Sequence, residues 1–562
     1  MSGRSDLPFG VPLPARPPRE ALDGLLAADP AAPRTIEIGI PMRDGLELAA
    51  DVHLPAADRL PAPAVVIGTP YDKSSPFEDA AAYQEAGYVA VVYDTRGRGK
   101  SEGVFQPDSA SDGSDGYDAV EWVAAQEWCD GNVGVTGISY MGWVVFATMA
   151  NRPPHLKAGI PISAAGRFQQ ELPYTYGCFW LYNAFWFAFV RRRINDTSRK
   201  VSDLMPILPV EAIGPAIDPA GPGWEEFLTH ETLDELWRSR RWDGEYEFDV
   251  PCLHVTGWHD REDIWGTFHH YEEMLTSSPA REQQWLLVGP WSHTSCRHPT
   301  DVYDGIEYPG SALDMNAIHI RFFDRFLKGE ENGVDDEPRV RMYDPGAKRW
   351  EVRESWAEGT REQELFLADG SALAAAPETD GETSYRYDPL RPNGNPFDPD
   401  SFPWEPPIHL AGLEAQEGVV TWTSEPLAER LTVRGWGETV LWAATDGEDT
   451  DWHLKLADVA PDGTSLFVSW GCLRASYGED EASLGAVTPG EVSEYAIELT
   501  PIFHSFEPGH RLRLVLASSE YPWFARNLNR FEPIGKQSDP RVATNTVFHG
   551  PAHPSRLRLR VE

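Results

Sequence analysis

The sequence predicts an α/β protein with a parallel sheet buried on both faces, an inserted helical segment and a C-terminal β-sandwich. Three observations carry this. Short, almost wholly apolar runs alternate with helix-length segments through the first part of the chain. The alternation breaks between about Gly166 and Val250. Beyond Gly333, short alternating strands and turn residues replace helical periodicity.

In chain order, two β-rich stretches over 34–55 flank a turn at Arg43-Asp44-Gly45. The runs AVVIGTP (64–70), YVAVVYD (88–94), NVGVTG (132–137), AGIPIS (158–163), CLHVTG (252–257) and WLLVG (285–289) read as buried strands. Helical patterns occupy 114–126, 140–151, 264–275 and 315–327. The insertion opens with an aromatic block, YGCFWLYNAFWFAF (176–189). It reads as a mostly helical cap over the carboxyl edge of the sheet, where open α/β sheets bind ligands. The block is either ordinary cap core or, in part, the wall of an apolar acyl pocket. Phe179 and Trp180 are then wall residues, with Trp258 beside them. The expected division is an N-terminal arm at 1–33, a core at 34–165 and 251–332, the cap at 166–250 and a jelly-roll sandwich at 333–562. Within the last, 380–407 is rich in Pro, Asp and Asn and is expected to be a surface connection. Trp422, Trp436, Trp452 and Trp470 are expected to pack the sandwich rather than form a sugar platform.

Composition excludes several functions. Against 48 basic residues stand 88 acidic ones, a net charge of −40. Such a chain repels nucleic-acid phosphates and anionic membranes. The plain reading of the charge is solubility, the sharper one steering of cationic substrates. The five cysteines are scattered without C-x-x-C spacing, which argues against a disulfide framework or a zinc site and for a reducing compartment. With no secretory h-region at the N-terminus and no apolar run of membrane-spanning length, the expected location is cytoplasmic. The acidic surface does not forbid a homo-oligomer through the jelly roll or cap.

A serine acts as a nucleophile only if exposed, unhindered and beside a base. Gly137-Ile138-Ser139-Tyr140-Met141-Gly142 lies between an apolar strand and a helix, as in the nucleophile elbow of an α/β-hydrolase. It departs from G-x-S-x-G in that Met141 takes the second glycine position. The fold predicts the order Ser, acid, His. Asp260 follows one core strand in VTGWHDRED, and His293 follows the next in VGPWSHTS. His259 precedes the acid and does not satisfy the order. Ser139 is therefore the expected nucleophile, His293 the base and Asp260 the orienting acid. For the oxyanion, the Tyr140 N–H supplies one donor. The loop after AVVIG carries Pro70, which has no N–H, so the Tyr71 hydroxyl would fill the gap.

The chain resembles the CocE/NonD hydrolases, the family of cocaine esterase, α-amino-acid ester hydrolase and X-Pro dipeptidyl-peptidase. The resemblance rests on MRDGLELAADVHLP (42–55), PYDK (70–73), DTRGRGKSEG (94–103), WCDGNVG (128–134), GISYMG (137–142), GWHD (257–260), GPWSH (289–293), RFFDRFLKG (321–329) and EPRVRMYDPGAKRW (337–350). It implies the same triad and the same two oxyanion donors, with no metal and no organic cofactor. It also implies an ester or amide substrate. In the α-amino-acid ester hydrolases, acids in a D-x-E-D arrangement bind the substrate's α-ammonium group, and Asp260-Arg261-Glu262-Asp263 matches it. Those enzymes take a third acid from the start of the cap, and 177–180 here contains none. Acids ahead of a helix also have a plainer role, stabilising its N-terminus. The expected activity is hydrolysis of small esters or activated amides with an apolar or aromatic, optionally α-amino, acyl group. An X-Pro dipeptidyl-peptidase ranks lower, because only a short arm precedes Arg34, and a β-lactam or amide acylase is a further alternative. A non-catalytic binding protein would show a degraded triad or oxyanion position, and none is degraded.

Overall fold

The structure, a computed structural model, describes residues 34–74, 80–192, 201–217, 222–241, 246–398 and 402–562. The expected arm at 1–33 lies outside the described residues. The core is a ten-stranded sheet: β1 (Arg34–Pro41), β2 (Glu47–Leu54), β3 (Ala62–Thr69), β4 (Val89–Asp94), β5 (Cys129–Ile138), β6 (Leu156–Ile162), β7 (Cys252–His259), β8 (Gln284–Ser292), β9 (Val340–Asp344) and β10 (Arg349–Arg353). The spatial order is β1-β2-β4-β3-β5-β6-β7-β8-β9-β10. Strands β3 to β9 run parallel, while β1, β2 and β10 make antiparallel pairs at the edges. Every residue of β3, β4, β7 and β8 is buried, which is why these segments read as unbroken apolar runs.

One expected boundary moves. The residues after Gly333 carry alternating patterns, yet β9 pairs in parallel with β8 and β10 closes a hairpin on β9. The first sheet therefore runs to Arg353. The helix Met315–Leu327 is the crossover between β8 and β9, but the two strands themselves alternate like a sandwich hairpin, so periodicity does not separate them.

The second sheet system is an almost wholly antiparallel sandwich of eleven strands. Its long strand Leu431–Thr445 pairs with three others. Trp422 and Trp452 are fully buried in its core, Trp470 is buried where the sandwich meets the cap, and Trp436 packs on Trp356. The stretch at 380–407 is not the surface connection expected. It contains the strand Gly381–Tyr387, and its Phe402 is buried among Tyr182, Phe185 and Trp523. No helix among the described residues is long and apolar enough to cross a membrane.

The cap opens with a hairpin of Tyr174–Thr175 and Cys178–Phe179, continues as the helix Tyr182–Arg192, and adds short helices. It is fastened to the sandwich by rings and charges. Trp180 packs on Trp470, Trp523 and Phe524. Arg167 reaches Glu498 at 3.0 Å, and Arg474 reaches Glu231 at 3.1 Å.

The carboxyl end of the sheet is shaped by one tryptophan. Gly257 of β7 pairs with Gly289 of β8, and the register then shifts before Ser292 pairs with His259. A Cβ on Gly257 would stand 2.1 Å from the Trp291 carbonyl oxygen, and one on Gly289 would stand 2.2 Å from the Trp291 ring. The two glycines thus admit the irregularity that turns β8 toward β7 and delivers His293 beside Asp260. Gly257→Ala is expected to destabilise the fold by about 1–3 kcal/mol and to lower turnover by displacing His293. Chemical denaturation alongside ester kinetics checks both, and an unchanged unfolding midpoint would refute the packing account.

Candidate active site

Ser139 sits at the turn from β5 into the helix Tyr140–Ala150 with φ 63° and ψ −131°, a conformation disfavoured for a residue with a Cβ. The turn is held by Ser139 N–H donating to Ile162 O at 2.9 Å. Its neighbours explain the displaced glycine. A Cβ on Gly142 would meet Ile162 O at 2.8 Å and Ala164 Cβ at 3.0 Å, so the close approach to β6 falls at 142. Met141 points into the apolar core, and its own Cβ would lie 2.5 Å from a Cβ on Gly137.

The Tyr71 hydroxyl is hydrogen-bonded to Ser139 and accepts from Trp186 Nε1 at 3.2 Å. Burial pushes this phenol up, so it remains a neutral donor. Its loop is braced from below by the motif at 94–103. The buried Asp94 carboxylate accepts the Lys73 and Lys100 N–H groups at 2.7 and 3.1 Å, and Arg98 Nε donates to Pro70 O at 2.9 Å. The N–H of Tyr140 belongs to the first helical turn, where N–H groups have no intrahelical acceptor. The Tyr140 side chain has a different task. Its hydroxyl donates to Asp112 at 2.7 Å and accepts from Asp108 N–H at 3.0 Å.

His293 Nδ1 lies 3.1 Å from Asp260 Oδ1. That carboxylate also accepts the N–H groups of Glu262 at 3.0 Å and Asp263 at 3.2 Å. Burial works against its charge, but His293 and these donors outweigh it and hold Asp260 below the usual range. Two further carboxylates face the same ring: Glu262 is 3.7 Å from Nε2 and Asp263 3.9 Å from Nδ1. Burial opposes protonation of His293, but Glu262, Asp260 and Asp263 together hold it well above the ordinary histidine range. Burial raises Glu262 to about 7 and raises Asp263 strongly, with Asp260 adding to both. The Tyr182 hydroxyl is bonded to Glu262, while Asp263 Oδ1 is buried without a hydrogen-bond partner.

Ser139, Tyr140, Glu262 and Asp263 open into one cavity walled by Trp143, Phe168, Tyr182, Trp186 and Phe227. Phe179, Trp180 and Trp258 do not line it, contrary to expectation. Phe179 packs on Tyr174 and Trp224, Trp180 faces the sandwich, and Trp258 donates to Tyr343 O at 2.7 Å beneath β9. The reason is periodicity. The helix begins at Tyr182, so the residues turned toward Ser139 are Tyr182, Asn183 and Trp186, one turn apart, and those before it follow the hairpin into the sandwich. The cavity also receives Asp108, raised by burial to about 7, from the loop before the helix Ala110–Ala124. Nothing in local spacing marked that residue. The rival His259 stacks on Tyr303 and bonds Tyr308 at 3.1 Å, with burial lowering it to about 3.

Comparison with known proteins matches both halves of the chain. Residues 44–295 match the model of the X-Pro dipeptidyl-peptidase (S15 family), and 332–558 match the X-Pro dipeptidyl-peptidase C-terminal non-catalytic domain. The cocaine esterase of Rhodococcus sp. (strain MB1 Bresler) is 28% identical over 579 residues, covering 93% of this chain and 97% of that protein. A solved α-amino acid ester hydrolase is 25% identical with a TM-score of 0.87, covering 100% of both chains. A CocE/NonD family hydrolase from Staphylococcus aureus shares the fold at 20% identity and a TM-score of 0.73, over 94% of this chain and 93% of its own. With both of its halves matched in order, the chain belongs to the CocE/NonD serine hydrolases.

Proposed function

We propose that the protein hydrolyses small esters of α-amino acids with apolar side chains through an acyl-Ser139 intermediate. The observation that carries this reading is the pair Glu262 and Asp263, buried at the cavity beside His293. His293 accepts the Ser139 proton as Oγ attacks the ester carbonyl, then gives it to the departing alkoxide. Asp260 fixes the ring and stabilises imidazolium. The Tyr71 hydroxyl and the Tyr140 N–H receive the developing oxyanion. Water repeats the sequence to release the acid. The aromatic walls supported by Trp143, Phe168 and Phe227 suit an apolar acyl side chain. The five cysteines, all unpaired and buried, fit a cytoplasmic setting.

Charge gives the α-amino preference a mechanism. With the cavity empty, three carboxylates share one imidazole, and a protonated imidazole is no base. An incoming ammonium becomes the counter-ion of Glu262 and Asp263 and removes their hold on the His293 proton. The substrate thus frees the base that attacks it. An ester without the amine leaves His293 clamped in its cationic form.

Three outcomes follow. Phenylglycine methyl ester is hydrolysed with a kcat/KM at least about tenfold above that of phenylacetic acid methyl ester, about 1.4 kcal/mol of discrimination. Ser139→Ala abolishes both activities. Equal or reversed preference would leave a general carboxylesterase, and activity surviving in Ser139→Ala would remove the central assignment. The second outcome concerns pH. The profile of kcat reports the substrate-bound enzyme, so its acid limb lies at lower pH for the phenylglycine ester than for the phenylacetic ester. Glu262, raised to about 7, is neutral below that pH and charged above it, so KM for the amino ester falls as pH rises toward 7 and climbs again as the substrate's own α-ammonium, of pKa about 7.7–8.0, is lost. Coincident limbs for the two esters would contradict the charge-release step. Third, Tyr71→Phe is expected to lower kcat by about 100- to 1,000-fold with KM little changed, in stopped-flow or steady-state assays. The S15 description also makes a peptide amine a substrate to test, and a Gly-Pro anilide cleaved faster than either ester would favour the peptidase.

A further inference from the structure

Away from the Ser139 cavity, the cap and the sandwich bring together a second set of ligating side chains. Cys178 comes from the cap hairpin, and Asp451 and His453 come from the sandwich strand Asp451–Val459. The Cys178 sulfur, an Asp451 carboxylate oxygen and a His453 ring nitrogen all lie within 4.8 Å of one another. Cys472, on the neighbouring strand Ser465–Arg474, is hydrogen-bonded to both Cys178 and His453. All four residues are at most 4% exposed.

The arrangement has an unmet polar demand. His453 Nε2 is buried with no hydrogen-bond partner and stands 3.9 Å from Asp451 Oδ2, too far for a hydrogen bond. Asn527 Nδ2 donates to Asp451 Oδ1 at 2.8 Å and so leaves Oδ2 turned to the histidine. This is how an outer partner orients a ligating carboxylate. The nearby cations are otherwise engaged. Arg474 bonds Asp449 at 2.6 Å and Glu231 at 3.1 Å, and Lys455 is paired with Glu520.

We propose that Cys178, Asp451 and His453, with Cys472 beside them, form a buried site for a divalent transition metal of zinc-like preference. Mixed sulfur, nitrogen and oxygen donors suit zinc rather than magnesium or calcium, which take oxygen alone, and three protein ligands leave one tetrahedral position to a water. Bond lengths of about 2.0–2.3 Å place tetrahedral donors about 3.2–3.8 Å apart. The three donors, all within 4.8 Å of one another, close to that spacing by shifts of at most about 1–1.6 Å. A small cavity lined by Trp180, Arg261, His453, Lys455, Trp470 and Glu520 borders the histidine. Metal here ties the hairpin that precedes the helix Tyr182–Arg192 to the sandwich, and so stiffens the wall of the Ser139 cavity. The spacing argument against a metal site covers ligand pairs close in sequence, and these ligands are drawn from two domains.

Full-length protein stripped with a chelator and titrated with Co2+ tests the site. One equivalent is expected to bind with a thiolate-to-cobalt charge-transfer band in the near ultraviolet. Cys178→Ser and His453→Gln are each expected to weaken cobalt binding by more than about 100-fold while ester turnover persists, showing that the variants fold. No band in the wild type, or a band of unchanged affinity in both variants, overturns the proposal. Should a variant lose turnover, anomalous diffraction from cobalt-soaked wild-type crystals decides. A peak between Cys178 Sγ and His453 Nε2 sustains the site, and a peak elsewhere or none at all overturns it.

Discussion

Asp260, Glu262 and Asp263 are all buried within 4 Å of the His293 ring, and water cannot spread their charge. Three carboxylates and one imidazole in a low-dielectric space cannot all adopt their solution charges. The structure distributes the strain unequally. Asp260 receives two backbone N–H donors as well as the imidazole, and so keeps its charge. Glu262 has the Tyr182 hydroxyl, and one oxygen of Asp263 has nothing. The surplus is thus concentrated on the two side chains that open into the cavity.

Positioning that surplus draws on all three layers of the molecule. The parallel sheet sets the three loops at one edge, and Gly257 and Gly289 let Trp291 bend the last of them inward. The cap supplies Tyr182 and Trp186, which hold Glu262 and Tyr71 respectively. The cap in turn leans on the sandwich through Trp180, Tyr182 and Phe185, whose partners include Trp470, Trp523 and Phe402. The C-terminal domain contributes no reacting group to this arrangement. It is nonetheless the surface against which the helix carrying two cavity residues is registered.

Much of this was legible in the sequence. Buried parallel strands announce themselves as apolar runs, and the chain order of Ser139, Asp260 and His293, each after a strand of the one sheet, follows from the topology. What was hidden has physical causes. The hairpin of β9 and β10 alternates like any half-buried pair, so only its partner strand reveals that it belongs to the first sheet. The aromatic block was seen, but its helical phase was not, and a shift of two to seven residues moves the wall from Phe179 and Trp180 to Tyr182 and Trp186. Asp108 reaches the cavity from a loop before a helix, and Cys178 meets His453 across a domain boundary. Neither leaves a mark in local spacing.

The acidic surface and the acidic cavity are separate devices. A net charge of −40 raises the local concentration of cations around the protein. At physiological salt, that field is screened over about 8 Å, and it acts on any cation regardless of where its charge sits on the molecule. Glu262 and Asp263 lie behind the aromatic walls, where mobile ions do not screen them, and they are fixed relative to Ser139. On the proposed reading, a substrate satisfies them while presenting its carbonyl to the serine when its ammonium lies at the right distance from its ester carbonyl. On that reading, surface charge governs encounter and the buried pair governs which encounters become productive. Raising the ionic strength weakens the first and leaves the second intact.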